Sequence, residues 1–291
     1  MQVFLNGRLV PEAQAVVPIS DRGFLYGDGL FETVRVSHGW PLWWERHLDR
    51  LQRGAGLLKL QLPWPPESLL GFAAKLIAQN KMPESMLRIT LTRGSGPRGY
   101  SVKNAACPTL AMTLHPWPNP PSSVRLITAS QRIPASDPTS NCKTANKLAQ
   151  ILARAEAEDR DADEALLLNT GGNVCEAASG NLFWLEGGAL CTPPLSDGPL
   201  AGVTRSVVVD LCRRQNLRLI ERSVQSDGLF NADGIFLTNS GWGIVPAATL
   251  DGRALHQSPY IVELQGAYQE LCRAEASKGP KLPHQPPASA D

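Results

Sequence analysis

The sequence predicts an α+β fold in two domains, and three observations carry that prediction. Stretches with strand alternation and stretches with helical spacing do not follow one another in regular β-α-β succession, which disfavours a doubly wound sheet. Four prolines fall within residues 116–123, "PWPNPPSS", a composition that neither a helix nor a central strand accepts. The length, 291 residues, suits one large domain or two of ordinary size. These features set domains at 1–117 and 124–275, with a linker at 118–123. The tail at 276–291, "ASKGPKLPHQPPASAD", is proline-rich and expected to be disordered.

Within the first domain, "MQVFLNGRLV" alternates and turns at Asn6-Gly7, a hairpin signal. "LFETVRVSHGWPLWW" reads as two strands around His38-Gly39. In "WERHLDRLQRGAGLLKL" the leucines recur at helical spacing with charges between them. "PESLLGFAAKLIAQN" opens on proline and glutamate and reads as a second helix that stops near Asn80. "SMLRITLTRGSG" and "TLAMTLHPW" are strand-like.

Past the linker, "SVRLITAS" reads as a strand and residues 144–160 as a helix. The segment from "DEALLLN" to "CTPPL" reads as a strand meander with turns at Gly171-Gly172 and Gly187-Gly188. "GVTRSVVVDLCRRQ" is helical, with Arg213 and Arg214 favourable at its C-terminal end. "LRLIERSV", "GIFLTNS" and "GIVPAATLDGR" are strand-like, and a last helix covers roughly 258–275.

Composition excludes several classes. With 28 Lys and Arg against 27 Asp and Glu, no basic face is implied, which weighs against nucleic-acid partners. No apolar run is long enough to span a membrane. The N-terminus lacks the basic start and long apolar stretch of a signal peptide, so a cytoplasmic location is expected. The six cysteines, Cys107, Cys142, Cys175, Cys191, Cys212 and Cys272, form no C-x-x-C pair. They read as free thiols, and no structural metal site is expected.

Several clusters could carry chemistry, and each has a plain structural alternative. Gly27 and Gly29 flank Asp28 ahead of a strand, as a tight turn or a close backbone approach to a ligand would need. His47 and Arg50 share a helix face; the arginine fork suits a phosphate, or the face is simply solvated. Arg93, Arg98 and Tyr100 lie on a Gly/Pro-rich loop that could present cations to a carboxylate. Glu176 follows an apolar strand, where a carboxylate is costly unless paired. "LAGVTRS" runs from loop into helix, a ready phosphate site to which Thr204 adds a hydroxyl. Thr238, Asn239 and Ser240 end a strand with three hydrogen-bonding side chains. "NCKTANKLAQ" holds two lysines, Lys143 and Lys147, where a loop becomes helical. Together these supply what pyridoxal phosphate requires: an amine, an anion for the pyridine nitrogen, and an arginine plus helix N-terminus for the phosphate.

The ordered set "SDRGFLYGDGLFET", "RHLDRL", "KTANKL", "DEALLLN", "VCEAASGNLF", "CTPPL", "LAGVTR" and "TNSGWGI" resembles the class IV, or fold type IV, pyridoxal-phosphate aminotransferase family over nearly the whole chain. The resemblance implies the two-domain fold of D-amino-acid aminotransferase-like enzymes, with a small N-terminal domain and a larger one built on a barrel-like sheet. It implies pyridoxal 5′-phosphate as cofactor. In the K-x-x-N-x-L pattern the Schiff-base lysine is Lys143, with Asn146 and Leu148, while Lys147 falls at a variable position and reads as solvated. Glu176 matches the partner of the pyridine nitrogen, and Arg50 the phosphate arginine. Val203 and Thr204 match the backbone phosphate donors, and Ser240 a further phosphate-side hydroxyl.

Within the family, "LTRGSGPRGYS", "LTNSGWGIVP" and Thr33 are similar to aminodeoxychorismate lyases, which make 4-aminobenzoate and pyruvate from 4-amino-4-deoxychorismate. D-amino-acid and branched-chain aminotransferases are the alternatives. Gly241 departs from the larger apolar residue that lyases often carry. Phe31, Thr33, Arg98, Tyr100 and Asn239 are the substrate-side candidates, with Arg98 for a carboxylate. In the family the Arg98 loop reaches the neighbouring subunit's site, so a homodimer acting on a small molecule is implied.

Overall fold

The computed structural model describes residues 1–105 and 107–279. In the N-terminal half, β1 (Gln2–Leu5) and β2 (Arg8–Pro11) form the expected hairpin. Asn6 and Gly7 take φ of 46° and 90° at its turn, the left-handed pair that a two-residue hairpin loop requires. A short helix, α1 (Arg22–Tyr26), is capped by Asp21, whose Oδ1 accepts from Gly23 N at 2.7 Å. There follow β3 (Gly29–Ser37), β4 (Trp40–Pro41), α2 (Trp44–Leu58), α3 (Pro66–Asn80), β5 (Ser85–Thr92) and β6 (Thr109–Pro116). The sheet order is β2-β1-β6-β5-β3-β4. Leu48 and Leu51 of α2 and Leu69 and Leu76 of α3 pack with Phe4, Val34 and Leu87 of the sheet, which is why the leucines recur at helical spacing.

Residues 117–123 carry no regular structure. The C-terminal half comprises β7 (Val124–Ile133), α4 (Leu148–Asp159), β8 (Glu164–Asn169), β9 (Val174–Ala177), β10 (Asn181–Glu186), β11 (Ala189–Thr192), α5 (Val203–Arg214), β12 (Leu219–Glu221), β13 (Gly234–Asn239), β14 (Gly243–Leu250), β15 (Arg253–Ala254) and α6 (Pro259–Ala276). The long sheet runs β12-β11-β10-β13-β14-β7-β8-β9, with β15 beside β14. Its β14–β7, β7–β8 and β11–β12 pairs are parallel. Strand β8, "EALLLN", is buried at every position. A strand covered on both faces reads as a continuous apolar run and shows no alternation. On one face Val207, Leu211, Leu264 and Tyr268 of α5 and α6 pack on Phe183 and Phe236.

The halves interlock. Leu42 of the first half lies in the α5–α6 core, and Cys142 of the second lies in the N-terminal core. The expected helix over 144–160 begins only at Leu148. The main chain before it is committed elsewhere: Phe31 N donates to Lys143 O, and Ala145 N to Gly29 O, each at 2.9 Å. The first residues of the expected tail are described. Ala276 ends α6, and Gly279 packs so closely on Trp40 that a Cβ would come within 2.8 Å of the Trp40 Cβ. Residues 280–291 of the expected tail lie outside the described residues.

Candidate active site

A cavity of about 460 Å³ opens where β3, α2, the segment before α4, β9 and α5 converge. Its size suits a cofactor or small substrate. Lys143 enters it from a backbone pinned to β3, so the amine has a fixed root. Its Nζ sits 4.5 Å from the centre of the Phe31 ring. Burial, then the charge of Arg50, draw the amine down to about 8, against the opposing pull of Glu32. An amine with that value is still mostly protonated near physiological pH, but far more of it is neutral than of an ordinary lysine, and that fraction can act as nucleophile or base.

Glu176 stands on β9 and lines the same cavity. Its Oε2 accepts from Leu200 N at 2.9 Å, with Asn181 Nδ2 at 3.5 Å. Burial raises its carboxyl above the ordinary range, despite the backbone donor and the nearby Lys147, Lys143 and Arg50 charges. Among the described residues no salt bridge reaches this carboxylate, and a positively charged ligand atom would supply one.

At the third wall α5 begins. Its N-cap is Gly202, which gives no side-chain hydrogen bond. The first-turn N–H groups of Val203 and Thr204 therefore face the cavity without helical partners, a natural anion site. Asn181 packs against Gly202 in the space a Cβ would fill, so glycine is needed there. Arg50 lies beside this turn, its Nη1 donating to Ala201 O at 3.0 Å. The rest of its fork grips Glu32, Nε to Oε1 at 2.8 Å and Nη2 to Oε2 at 2.6 Å. His47 Nδ1 closes the triad on Glu32 Oε2 at 2.7 Å. Burial pushes the Glu32 carboxyl up, but Arg50 and His47 together bring it down to about 2. The same burial lowers His47.

The structure brings Phe31, Thr33, Arg50, Lys143, Glu176, Val203, Thr204, Asn239 and Ser240 to this one cavity. Asn239 is partly committed: its Oδ1 accepts from Gly241 N at 3.0 Å and Trp242 N at 2.8 Å. Arg98 and Tyr100 do not line it, and Tyr100 is 89% exposed, edge-on to Tyr26. Their loop is held by an ion-pair clasp in which Asp28 bonds Arg22 and Arg93, while Arg22 Nη1 donates to Gly99 O at 2.8 Å. The Gly27-Asp28-Gly29 stretch thus serves this clasp as well as the turn.

Lys147 corrects its sequence reading. It is the N-cap of α4 and lines the cavity rather than facing solvent. Burial, first of all, lowers its amine. Sequence reasoning also missed Glu32 and Arg88. Only the "GLFETVRV" alternation hinted that Glu32 faces inward. Arg88 lies opposite Thr33 across the β3–β5 pair, with its guanidinium 4.1 Å from the Phe31 ring centre. The hydroxyl of Thr238 is buried at the cavity wall without a hydrogen-bond partner among the described residues.

These residues fit pyridoxal phosphate: an amine, a carboxylate in the same cavity, an uncapped helix N-terminus, and an unsatisfied buried hydroxyl. A family model described as amino-transferase class IV matches residues 29–250. The chain belongs to the class IV aminotransferases. Among solved structures, this class IV chain is similar to a branched-chain aminotransferase from Thermoproteus uzoniensis, with TM-score 0.90, 28% identity and 96% of each chain covered. It is also similar to 4-amino-4-deoxychorismate lyase from Pseudomonas aeruginosa, with TM-score 0.83, 32% identity, and 92% of this chain and 98% of that one covered. A D-alanine aminotransferase from Bacillus licheniformis is 28% identical over 286 residues, 96% of this chain and 99% of the relative. The α+β architecture is that of fold type IV. Like class IV aminotransferases and aminodeoxychorismate lyases, this enzyme uses pyridoxal 5′-phosphate, in a lyase or an aminotransferase reaction.

Proposed function

We propose that the protein converts 4-amino-4-deoxychorismate into 4-aminobenzoate and pyruvate, the supply reaction for a folate precursor. The observation that carries this reading is the charge of the cavity. Lys143 and Lys147 line it; Arg88, not itself a lining residue, pairs across the sheet with Thr33 of the wall and stacks on the Phe31 ring that Lys143 also meets. Arg88 has no carboxylate partner among the described residues, and burial lowers its guanidinium. Such a site favours a substrate with two carboxylates. The loop residues around Arg98 and the Thr33 position, both similar to lyases, point the same way.

In this reading Lys143 carries the cofactor and Glu176 bonds its pyridine nitrogen. Val203 N, Thr204 N, Arg50 and Ser240 hold the phosphate. The bound cofactor supplies an electron sink for the substrate carbon that bears the amine. Lys143 Nζ would remove the proton from that ring carbon. The adjacent C–O bond breaks, and its electron pair leaves with the enol form of pyruvate, which is then protonated to pyruvate. The new ring double bond completes the aromatic product. Phe31, Thr33 and Asn239 bound the substrate, and Arg88, paired with Thr33, adds positive charge near its carboxylate.

A homodimer belongs to the same proposal. Ile19, Phe24, Leu148 and Ile151 expose between 61 and 80% of their surface. The Gly27–Asn146 packing joins the α1 and α4 regions of this apolar face. A second copy covering it belongs to the reading in which the Arg98 loop reaches a neighbour's cavity. A cytoplasmic location fits these reactants.

The test is a direct assay of purified holoenzyme with 4-amino-4-deoxychorismate, beside D-alanine or L-leucine with 2-oxoglutarate. The expected result is 4-aminobenzoate and pyruvate in equal amounts. Amino transfer without 4-aminobenzoate would replace the lyase reading with an aminotransferase.

A further inference from the structure

Gly241 sits in the turn between β13 and β14 and lines the cavity. Glycine is usually held in place by a left-handed backbone or by lack of room. Neither applies here. Gly243, two residues on, has φ of 73°, but Gly241 is not among the positive-φ glycines. A Cβ on Gly243 would come within 2.6 Å of the Tyr268 ring, and one on Gly180 within 2.8 Å of Thr238 O. A Cβ on Gly241 would meet only Asn239 Oδ1 at 3.5 Å and Pro118 Cγ at 3.6 Å, ordinary contacts. Packing and backbone thus explain the other two glycines and leave this one free.

The turn is also rigid. Asn239 Oδ1 accepts from Gly241 N and Trp242 N, and Gly241 O accepts from Trp117 Nε1 at 2.7 Å. A side chain at 241 would project in one fixed direction, from between Asn239 and Pro118, both cavity residues. The missing side chain therefore leaves defined room in a cavity that Trp242 and Met86 also line.

We propose that Gly241 sets the size limit of this cavity, so that the protein takes small carboxylates bearing a ring-sized apolar substituent, a class wider than one cyclohexadiene. The proposal rests on the reading that the cavity binds carboxylate-bearing amines at Lys143.

The experiment uses holoenzyme and carboxylates that lack an amine and so cannot react: butyrate, 4-methylpentanoate and 3-phenylpropanoate, titrated by calorimetry. Wild type should bind 3-phenylpropanoate roughly tenfold or more tighter than butyrate. Gly241→Leu should remove most of that preference and leave butyrate binding nearly unchanged. Gly241→Ala should fall between. Circular dichroism and cofactor absorbance confirm that each variant is folded and loaded; should Gly241→Leu not fold, Gly241→Ala carries the test alone. The same preference in wild type and in the folded variants overturns the proposal, as does a wild type that binds all three equally. Failure of wild type to bind any of them overturns both the proposal and the carboxylate reading. A preserved, Gly241-dependent size preference in a protein that makes no 4-aminobenzoate removes the lyase reading alone.

Discussion

Glu32 and Glu176 are both buried carboxylates near one cavity, and they are held in opposite ways. Glu32 has two nitrogens of Arg50 and one of His47 within 2.8 Å, and its carboxyl sits at about 2. Glu176 has one short bond, from a backbone N–H, and its carboxyl is raised by burial. The first carboxylate forms a closed set, with its complements within the chain, although one of them, Arg50, also lines the cavity. The second is open, and with Lys143 and Lys147 it forms a set completed only by something bound. A buried polar group left short of partners is expensive, so where it persists the ligand is its explanation. The difference separates a carboxylate satisfied within the chain from one that a ligand would complete.

The sharpest break would come at Lys143. Lys143→Ala should lower turnover by about 10⁴-fold with little change in melting temperature, read by steady-state product formation and a thermal melt. A large loss of stability would place Lys143 with the closed set instead. Glu32→Gln should do the reverse, costing about 3–5 kcal/mol by leaving Arg50 buried without its counterion. Urea denaturation reads this directly. Glu176→Gln should keep the urea midpoint and lose about 10²–10³-fold in turnover.

Acid sharpens the contrast further. The Glu32 carboxyl is depressed from 4.5 to about 2. Its stabilisation is therefore complete above about 4.5 and lost as pH falls from there through 2. Denaturant midpoints should decline across that window in wild type and stay flatter in Glu32→Gln. The smallest effect belongs to Lys147. Cofactor uptake by stripped protein should accelerate as pH rises through about 8, where Lys143 loses its proton. Lys147→Met removes a charge that lowers Lys143, so the midpoint should move to higher pH. Stopped-flow absorbance measures both, and an unmoved midpoint would detach Lys147 from the open set.

The open set was the more legible in the sequence. Lys143, Glu176 and the "LAGVTR" helix start sit in short local patterns whose chemistry a reader can name. What stayed hidden depended on partners far along the chain. Glu32 meets Arg50 across 18 residues and looked like one more polar position of a strand. Arg88 became notable only through its neighbour Phe31. Lys147 has no local feature that tells an amine aimed inward from one aimed outward. The late start of α4 was illegible because its cause is the pairing of residues 143–145 with β3, and periodicity near a helix end does not report such tertiary bonds. The strand blocks and most helices read correctly because amphipathic spacing survives without tertiary knowledge. The parallel pairing of β7, β8 and β14 did not, since a doubly covered strand such as β8 carries no period to read.

The main chain at Lys143 is fastened to β3 of the N-terminal sheet, whereas Glu176 and the start of α5 belong to the C-terminal half. A molecule joined to all three would act as a rivet between the two sheets. Loading and melting are then linked: the holoenzyme should resist partial parting of the halves better than stripped protein, by the free energy of cofactor binding. Any loosening of the seam would withdraw the amine from the carboxylate while each sheet still stood intact, so loss of activity on heating should run ahead of loss of secondary structure.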